Sequence, residues 1–142
     1  MVVPAAMLHD LGKATHAQTE ADGRITSHRH AEAGVEPTRD FLTRIGAPGH
    51  VHDKVLPIIR EHICHASTGP KPTGKAVRHL VRRLAGENGT GPSIEDWARV
   101  VDADVTGRGA GNKVPFGEQW VALARRSGRW RSRALRCCAG ST

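Results

Sequence analysis

The chain has 142 residues, 38% of them hydrophobic, enough for one domain with a real core. No run of about eighteen apolar residues is present, which excludes a helical membrane span, and Met1-Val2-Val3-Pro4 does not read as a signal peptide. The formal net charge of +7 points to an anionic partner, while Cys64, Cys137 and Cys138 give no disulfide framework and leave a reducing cytoplasm as the expected compartment.

Strand-like alternation is scarce and apolar residues at helical spacing are common, so the expected fold is all-α. The first helix is predicted over Pro4 to Lys13, with Pro4 in its first turn and Gly12 weakening its end. Residues 14–27 read as a loop that turns at Asp22-Gly23. A second helical region covers about 28–45, capped by Ser27, ended by Gly46 and Pro48, and kinked or split at Pro37. The third runs from about His50 to His65, with Val51, Val55, Leu56, Ile58, Ile59 and Ile63 on its apolar side and a bend at Pro57.

After a Gly/Pro-rich loop at 66–74, a fourth helix spans about 75–85, where Val77, Leu80, Val81 and Leu84 recur at helical spacing. Gly86 to Pro92 is another loop. Ser93-Ile94-Glu95-Asp96 resembles a capping box with Asp in place of Glu, and opens a fifth helix to about Val105. Gly107 to Gly111 reads as a flexible break, and a last helix covers about 117–126. Residues 1–112 are expected to form the domain, and 113–142 a basic tail, partly helical or disordered. After Glu118 come Arg125, Arg126, Arg129, Arg131, Arg133 and Arg136 with no acid, which leaves 15 basic against 14 acidic residues in 1–118. Such a tail could hold RNA phosphates, with Trp130 stacking on a base, or be a solvated end.

The chemistry starts at His9-Asp10. An imidazole next to a carboxylate among small and apolar neighbours is either solvated at a helix end, paired, or bound to a metal, and both groups are ligands for Zn, Mn and Fe-type ions. His28 and His30 open the second helical region, His62 and His65 lie three apart on the third, and Asp102 and Asp104 close the fifth. A helical metal protein gathers ligands from several helices, and His9, Asp10, His30, His62 and Asp104 are ligand types on separate predicted helices. His16, His50, His52 and His79 read as solvated.

Two lookalikes are set aside. Gly69-Pro70-Lys71-Pro72-Thr73-Gly74-Lys75-Ala76 nearly spells a P-loop, but no strand precedes it, Ala76 has no hydroxyl and two prolines remove donors. His62-Ile63-Cys64-His65 lacks a second ligand pair at zinc spacing, and Cys64 reads as a core residue.

Taken together, Ala5-Ala6-Met7-Leu8-His9-Asp10-Leu11-Gly12-Lys13, Asp22-Gly23-Arg24-Ile25-Thr26-Ser27-His28-Arg29-His30-Ala31-Glu32-Ala33-Gly34, Arg60-Glu61-His62 and Ala103-Asp104-Val105-Thr106-Gly107-Arg108 resemble the HD-domain metal-dependent phosphohydrolases. The likeness is nearest to the HD domain behind the nucleotidyltransferase head of CCA-adding tRNA nucleotidyltransferases and related poly(A)-polymerase-like proteins, and covers roughly 5–110. It implies an all-helical HD-like bundle holding a divalent metal (Mn, Ni, Fe, Mg or Zn) through a distant His, the His9-Asp10 pair and a later Asp. Asp104 matches that Asp better than Asp102, because it precedes Thr106-Gly107-Arg108. His30 and His62 fall where members place histidines for a second metal or the phosphate, and Lys13 where a cation meets a phosphate oxygen.

The implied reaction is metal-assisted hydrolysis of a phosphate mono- or diester, of a nucleotide or an RNA end. Asp10 would ligate the metal and orient water, Lys13 would offset charge, and His62 or His30 would contact the phosphate or protonate the leaving oxygen. The alternative is an RNA-binding or non-catalytic C-terminal fragment of a CCA-adding enzyme, with tRNA held by the basic tail. The family's first His lies upstream of the HD pair, whereas this sequence begins eight residues before His9. The chain is therefore expected to lack the first helix of the bundle, its ligand and any nucleotidyltransferase head.

Overall fold

The computed structural model describes residues 1–67, 71–107 and 114–127. The backbone is helical nearly throughout: α1 (Val2–Leu8), α2 (Lys13–His16), α3 (His30–Ala33), α4 (Val35–Arg44), α5 (Gly49–Glu61), α6 (Gly74–Ala85), α7 (Ile94–Gly107) and α8 (Gly117–Arg126), with a 3-10 turn at Cys64–Ser67. The only strands among the described residues, β1 (Gln18–Thr19) and β2 (Ile25–Thr26), pair antiparallel with Gln18 opposite Thr26 and Thr19 opposite Ile25. The fold is all-α. No helix is long and apolar enough to cross a membrane among the described residues. Gly69, Pro70, the break at 108–111 and the arginine-rich stretch from Arg129 with Trp130, Cys137 and Cys138 lie outside the described residues.

One core runs through the bundle. Val55, Ile58 and Ile59 of α5, Val77, Leu80 and Leu84 of α6, and Ile94, Trp97, Val100 and Val101 of α7 are all buried in it. Ala5 and Leu8 are the buried positions of α1, which packs against both α5 and α7. That seat carries the end of α1 to the place where α5 and α7 also end. Trp120 of α8 packs on Trp97 with ring centroids 5.2 Å apart, so α8 joins the same core.

The helix ends differ from the sequence expectation in instructive ways. The first helix stops at Leu8 rather than Lys13. Beyond it the backbone tightens to Leu11 N–H to Leu8 O, Lys13 N–H to Asp10 O and Ala14 N–H to Leu11 O bonds, a 3-10-like course. The expected loop at 14–27 contains α2 and the small hairpin, whose turn does fall at Asp22-Gly23: Gly23 has φ +80° and Asp22 Oδ1 accepts from the Arg24 N–H at 3.1 Å. The second helical region splits at Gly34, not at Pro37. Pro37 sits in the first turn of α4, where a backbone N–H has no partner within the helix anyway. The third helix stops at Glu61, which puts His62 at its cap and His65 in the 3-10 turn. Thr73 caps α6 and Ser93 caps α7 through their hydroxyls, accepting from Ala76 and Asp96.

Gly12 marks a position after α1 that no ordinary residue can fill. A Cβ there would overlap the His30 carbonyl oxygen and lie 2.6 Å from Gly34 N. Two backbones touch at this point, and neither is free to give way. We expect Gly12→Ala to cost about 3 kcal/mol through overpacking and to lower Tm by on the order of 10 °C. Gly49→Ala, whose Cβ meets nothing within 4 Å, should leave Tm nearly unchanged. Differential scanning calorimetry of the two variants checks this; equal midpoints would show that the Gly12 contact relaxes freely.

Candidate metal centre

His9 and Asp10 follow α1, His30 opens α3, His62 follows α5 and Asp104 lies near the end of α7. The end of α5 is pinned from two sides. Trp97 Nε1 donates to the Glu61 carbonyl at 2.9 Å, and the buried Glu61 carboxylate receives Arg83 Nε at 2.8 Å. On the other side of the centre, Arg29 takes φ +61° just before His30, the left-handed region that a side chain rarely adopts. That turn directs α3 back against Gly12.

All three imidazoles are aimed by the same device. Nδ1 of His9 lies 2.8 Å from the Ala6 carbonyl, Nδ1 of His30 2.6 Å from that of Ser27, and Nδ1 of His62 2.6 Å from that of Ile59. A carbonyl can only accept, so each Nδ1 donates its proton and each Nε2 is turned toward the centre, with its lone pair available when the ring is neutral. The three Nε2 atoms then meet two carboxylates. His9 Nε2 is 3.3 Å from Asp104 Oδ1 and 3.4 Å from Asp10 Oδ2. His30 Nε2 is 3.5 Å and His62 Nε2 4.0 Å from Asp10 Oδ1. His30 Nε2 and His62 Nε2 face each other at 3.1 Å.

These groups fit a cation. With the rings neutral, two facing ring nitrogens repel each other, as do a lone pair and a carboxylate, and a cation between them removes both repulsions. His9 Nε2 and Asp10 Oδ1 are buried without a hydrogen-bond partner, a situation that buried polar groups otherwise avoid. Within the cluster, Asp10, His30 and His62 form one ligand triad, and His9, Asp10 and Asp104 a second, each with its ligand atoms within 4.8 Å of one another. Asp10 belongs to both. Side-chain exposure rises from 2% at His62 to 35% at Asp10, so the centre is closed at its base and open beside Asp10. Lys13 stands at that opening, with Nζ 2.6 Å from Asp10 Oδ2.

His62 has its pKa lowered to about 4, chiefly because burial disfavours the imidazolium and further because His9 and His30 lie close. The Ile59 carbonyl and Asp10 oppose this and do not prevail. His62 is therefore neutral at ordinary pH, with Nε2 able to serve as a nitrogen ligand.

The two acids of α7 separate cleanly. Asp104 faces His9, whereas Asp102 Oδ1 accepts the N–H groups of Phe116 and Gly117 at 3.0 and 2.9 Å and so starts α8. His65 does not share the His62 face. It leaves the helix with the 3-10 turn, and its ring packs on Phe116 at 4.4 Å. His16, His28, His50 and His79 are exposed. Cys64 is half-buried against the core, with its thiol pushed up to about 12 by burial and by Glu61. Sequence reasoning did not find the Glu61–Arg83–Trp97 clamp or the carbonyls of Ala6, Ser27 and Ile59. The signal for the latter was available: each lies three residues before a histidine at a helix boundary.

A helical bundle that brings three imidazoles and two carboxylates from separate helix ends into one space has the build of a metal-binding helical protein. The HD domain family model matches residues 2–104, and the chain belongs to that family, which places it in the superfamily of metal-dependent phosphohydrolases. The chain is also similar to the Multifunctional CCA protein of Neisseria meningitidis serogroup B, at 42% identity over 121 residues, 84% of this chain and 28% of that one. The same protein from a serogroup C strain matches with the same identity and coverage. This sequence thus spans 28% of the length of those relatives. No solved structure gives a significant match.

Two measurements follow. The unfolded chain protonates its histidine near pH 6.5 while native His62 resists until about 4, so below 6.5 the unfolded state binds the extra proton. Stability of the metal-free protein should be full above pH 6.5 and fall toward pH 4, by roughly 3 kcal/mol at most from this group. Urea unfolding at several pH values should show that slope reduced in His62→Asn; an identical slope would remove His62 as its source. Separately, Asp102→Ala should lower stability by about 1 kcal/mol through loss of the α8 cap and leave divalent-ion binding intact. Asp104→Ala should do the reverse, as calorimetric titration with Mn²⁺ or Ni²⁺ would reveal.

Proposed function

We propose that this chain hydrolyses a phosphate mono- or diester of a nucleotide or an RNA end, with a divalent metal held by His9, Asp10, His30, His62 and Asp104. The observation that carries the reading is the contact of His30 Nε2 with His62 Nε2 at 3.1 Å while both Nδ1 atoms are committed to carbonyls. With both rings neutral, a cation between these atoms turns their repulsion into shared coordination. A divalent ion held there supplies Lewis acidity and makes water several pKa units more acidic.

The protein's own groups divide the remaining work. Asp10, common to both triads, has one oxygen toward His30 and His62 and the other toward His9. It is placed to be shared if two ions are held. Lys13 neutralises part of the Asp10 charge and stands at the open edge, where its ammonium can meet a phosphate oxygen. His62 acts as a ligand; its depressed pKa leaves no proton to give at neutral pH. Of His30 and His62, His30 is the more exposed, at 12% against 2%, and is the one better placed to contact the substrate.

A second reading rests on the 42% identity to the Multifunctional CCA protein. In it the chain is the metal-binding segment of a larger protein that acts on tRNA ends in the cytoplasm, and tRNA also meets the basic stretch after Glu118. Metal content and turnover separate the two. The protein as purified should carry about one or more divalent ions per chain. Turnover of a 2′,3′-cyclic nucleotide or p-nitrophenyl phosphate should depend on added Mn²⁺, Ni²⁺ or Mg²⁺. Asp10→Ala should abolish it. His30→Ala and His62→Ala should cost less than Asp10→Ala if one ion suffices, and as much if two act together. Turnover that needs no metal and survives Asp10→Ala would refute the mechanism. Bound metal with no hydrolysis of any of these esters would favour the second reading.

A further inference from the structure

Helix α6 differs from the other helices in what it shows to solvent. Val77, Leu80 and Leu84 bury one side in the core. The opposite side carries Lys75, Arg78, His79, Arg82 and Arg83, all exposed, and no acid occurs between Gly74 and Ala85. Arg83 is neutralised by Glu61. Lys13, Arg24, Arg29 and Arg39 likewise stand against carboxylates. Among the described residues, no carboxylate pairs with Lys75, Arg78 or Arg82.

One of these cations, Lys75, also borders a concavity. A cleft of about 260 Å³ lies beside α6, with Lys75, His79 and Arg83 along its α6 side and Thr73, Cys64 and the buried Trp120 among its other walls. At 1.5 Å rise per residue, the row from Lys75 to Arg83 is about 12 Å long. One small anion would engage only one or two of its members. A nucleic-acid strand carries one charge per roughly 3.4 Å of axis in a duplex and fewer when extended, so it presents at least about two phosphates over that length. Cys64 on the cleft wall is two residues from His62, so the cleft opens near the element that supplies a ligand to the metal centre.

We propose that α6 and the cleft beside it hold the phosphodiester backbone of an RNA strand whose end is presented to the His9, Asp10, His30, His62 and Asp104 centre. The choice of RNA and the placing of its end rest on the function proposed above; the electrostatic grip of α6 does not. A charged helix face beside a cleft suits a strand that can follow it better than a flat bilayer, which would meet a protruding face.

Binding of a fluorescein-labelled RNA hairpin with a single-stranded 3′ end tests this, measured by anisotropy on the 142-residue chain across a salt series. The Lys75→Glu/Arg78→Glu/Arg82→Glu variant should bind at least tenfold more weakly, and its slope of log K against log salt should shrink by about two. The Gln version of the same three changes should lose less, with an unchanged circular dichroism spectrum. The loss should recur in a background carrying Arg129→Glu, Arg131→Glu and Arg133→Glu, so that the C-terminal arginines are not its source. If hydrolysis fails while α6-dependent RNA binding persists, the α6 interface stands and the catalytic reading falls. The proposal is overturned if the α6 variants bind within twofold of the parent, if only the Arg129, Arg131 and Arg133 changes weaken binding, or if α6 engages phosphatidylglycerol vesicles and not RNA.

Discussion

The contact on which this structure turns is between backbones. Gly12 lies so close to the His30 carbonyl and to Gly34 that a single methyl group does not fit between them. The turn bearing His9 and Asp10 and the short helix bearing His30 are thereby set against each other with no side chain between. Neither element is long enough to hold its own position: α3 has four residues, and α1 ends before His9. Their precision comes from this contact, and from the seating of α1 between α5 and α7. A bulkier interface at Gly12 would still make a helical bundle, but it would separate His30 from Asp10.

Around that contact the fold solves a problem common to all helix ends. The last carbonyls of a helix have no N–H above them. At α1 and α5 this protein satisfies one such carbonyl with the ring of the histidine three residues on, as Ala6 with His9 and Ile59 with His62. Termination of the helix and orientation of the ligand are one event. The two acids of α7 show a related economy. Two residues apart on a helix, they face different ways: Asp102 binds the start of α8 and Asp104 faces His9.

Much of this was legible in the sequence. The apolar spacing of 75–85 and the capping hydroxyl of Ser93 gave α6 and the start of α7 to within a residue, and 117–126 coincides with α8. The ligand-type residues could be singled out because charged and imidazole groups beside Ala6, Leu8 and Ile59 need a partner. What escaped the sequence was contact made over distance. Nothing local to Gly12 says that Gly34 lies against it, and the first helix is predicted five residues beyond its observed end at Leu8. Nothing local to Pro37 says that the break would move to Gly34. His65 shared a helical face with His62 only on the assumption that α5 continues, and the 3-10 turn at Cys64–Ser67 removes that assumption.

The five converging side chains are spread from residue 9 to residue 104 of the chain, and this has a kinetic consequence. Each pair of ligands except His9 and Asp10 closes a long loop, and such contacts are slow to form. In a zinc finger, ligands a few residues apart let the ion draw the chain into shape. Here the unfolded chain would offer an ion only scattered single ligands, so an ion held by the proposed centre would find it only after α1, α5 and α7 have assembled around their shared core. Apolar packing would then carry most of the folding of the metal-free chain. A metal ion bound at that stage would slow unfolding far more than it speeds folding, giving a long-lived native state rather than a faster route to it.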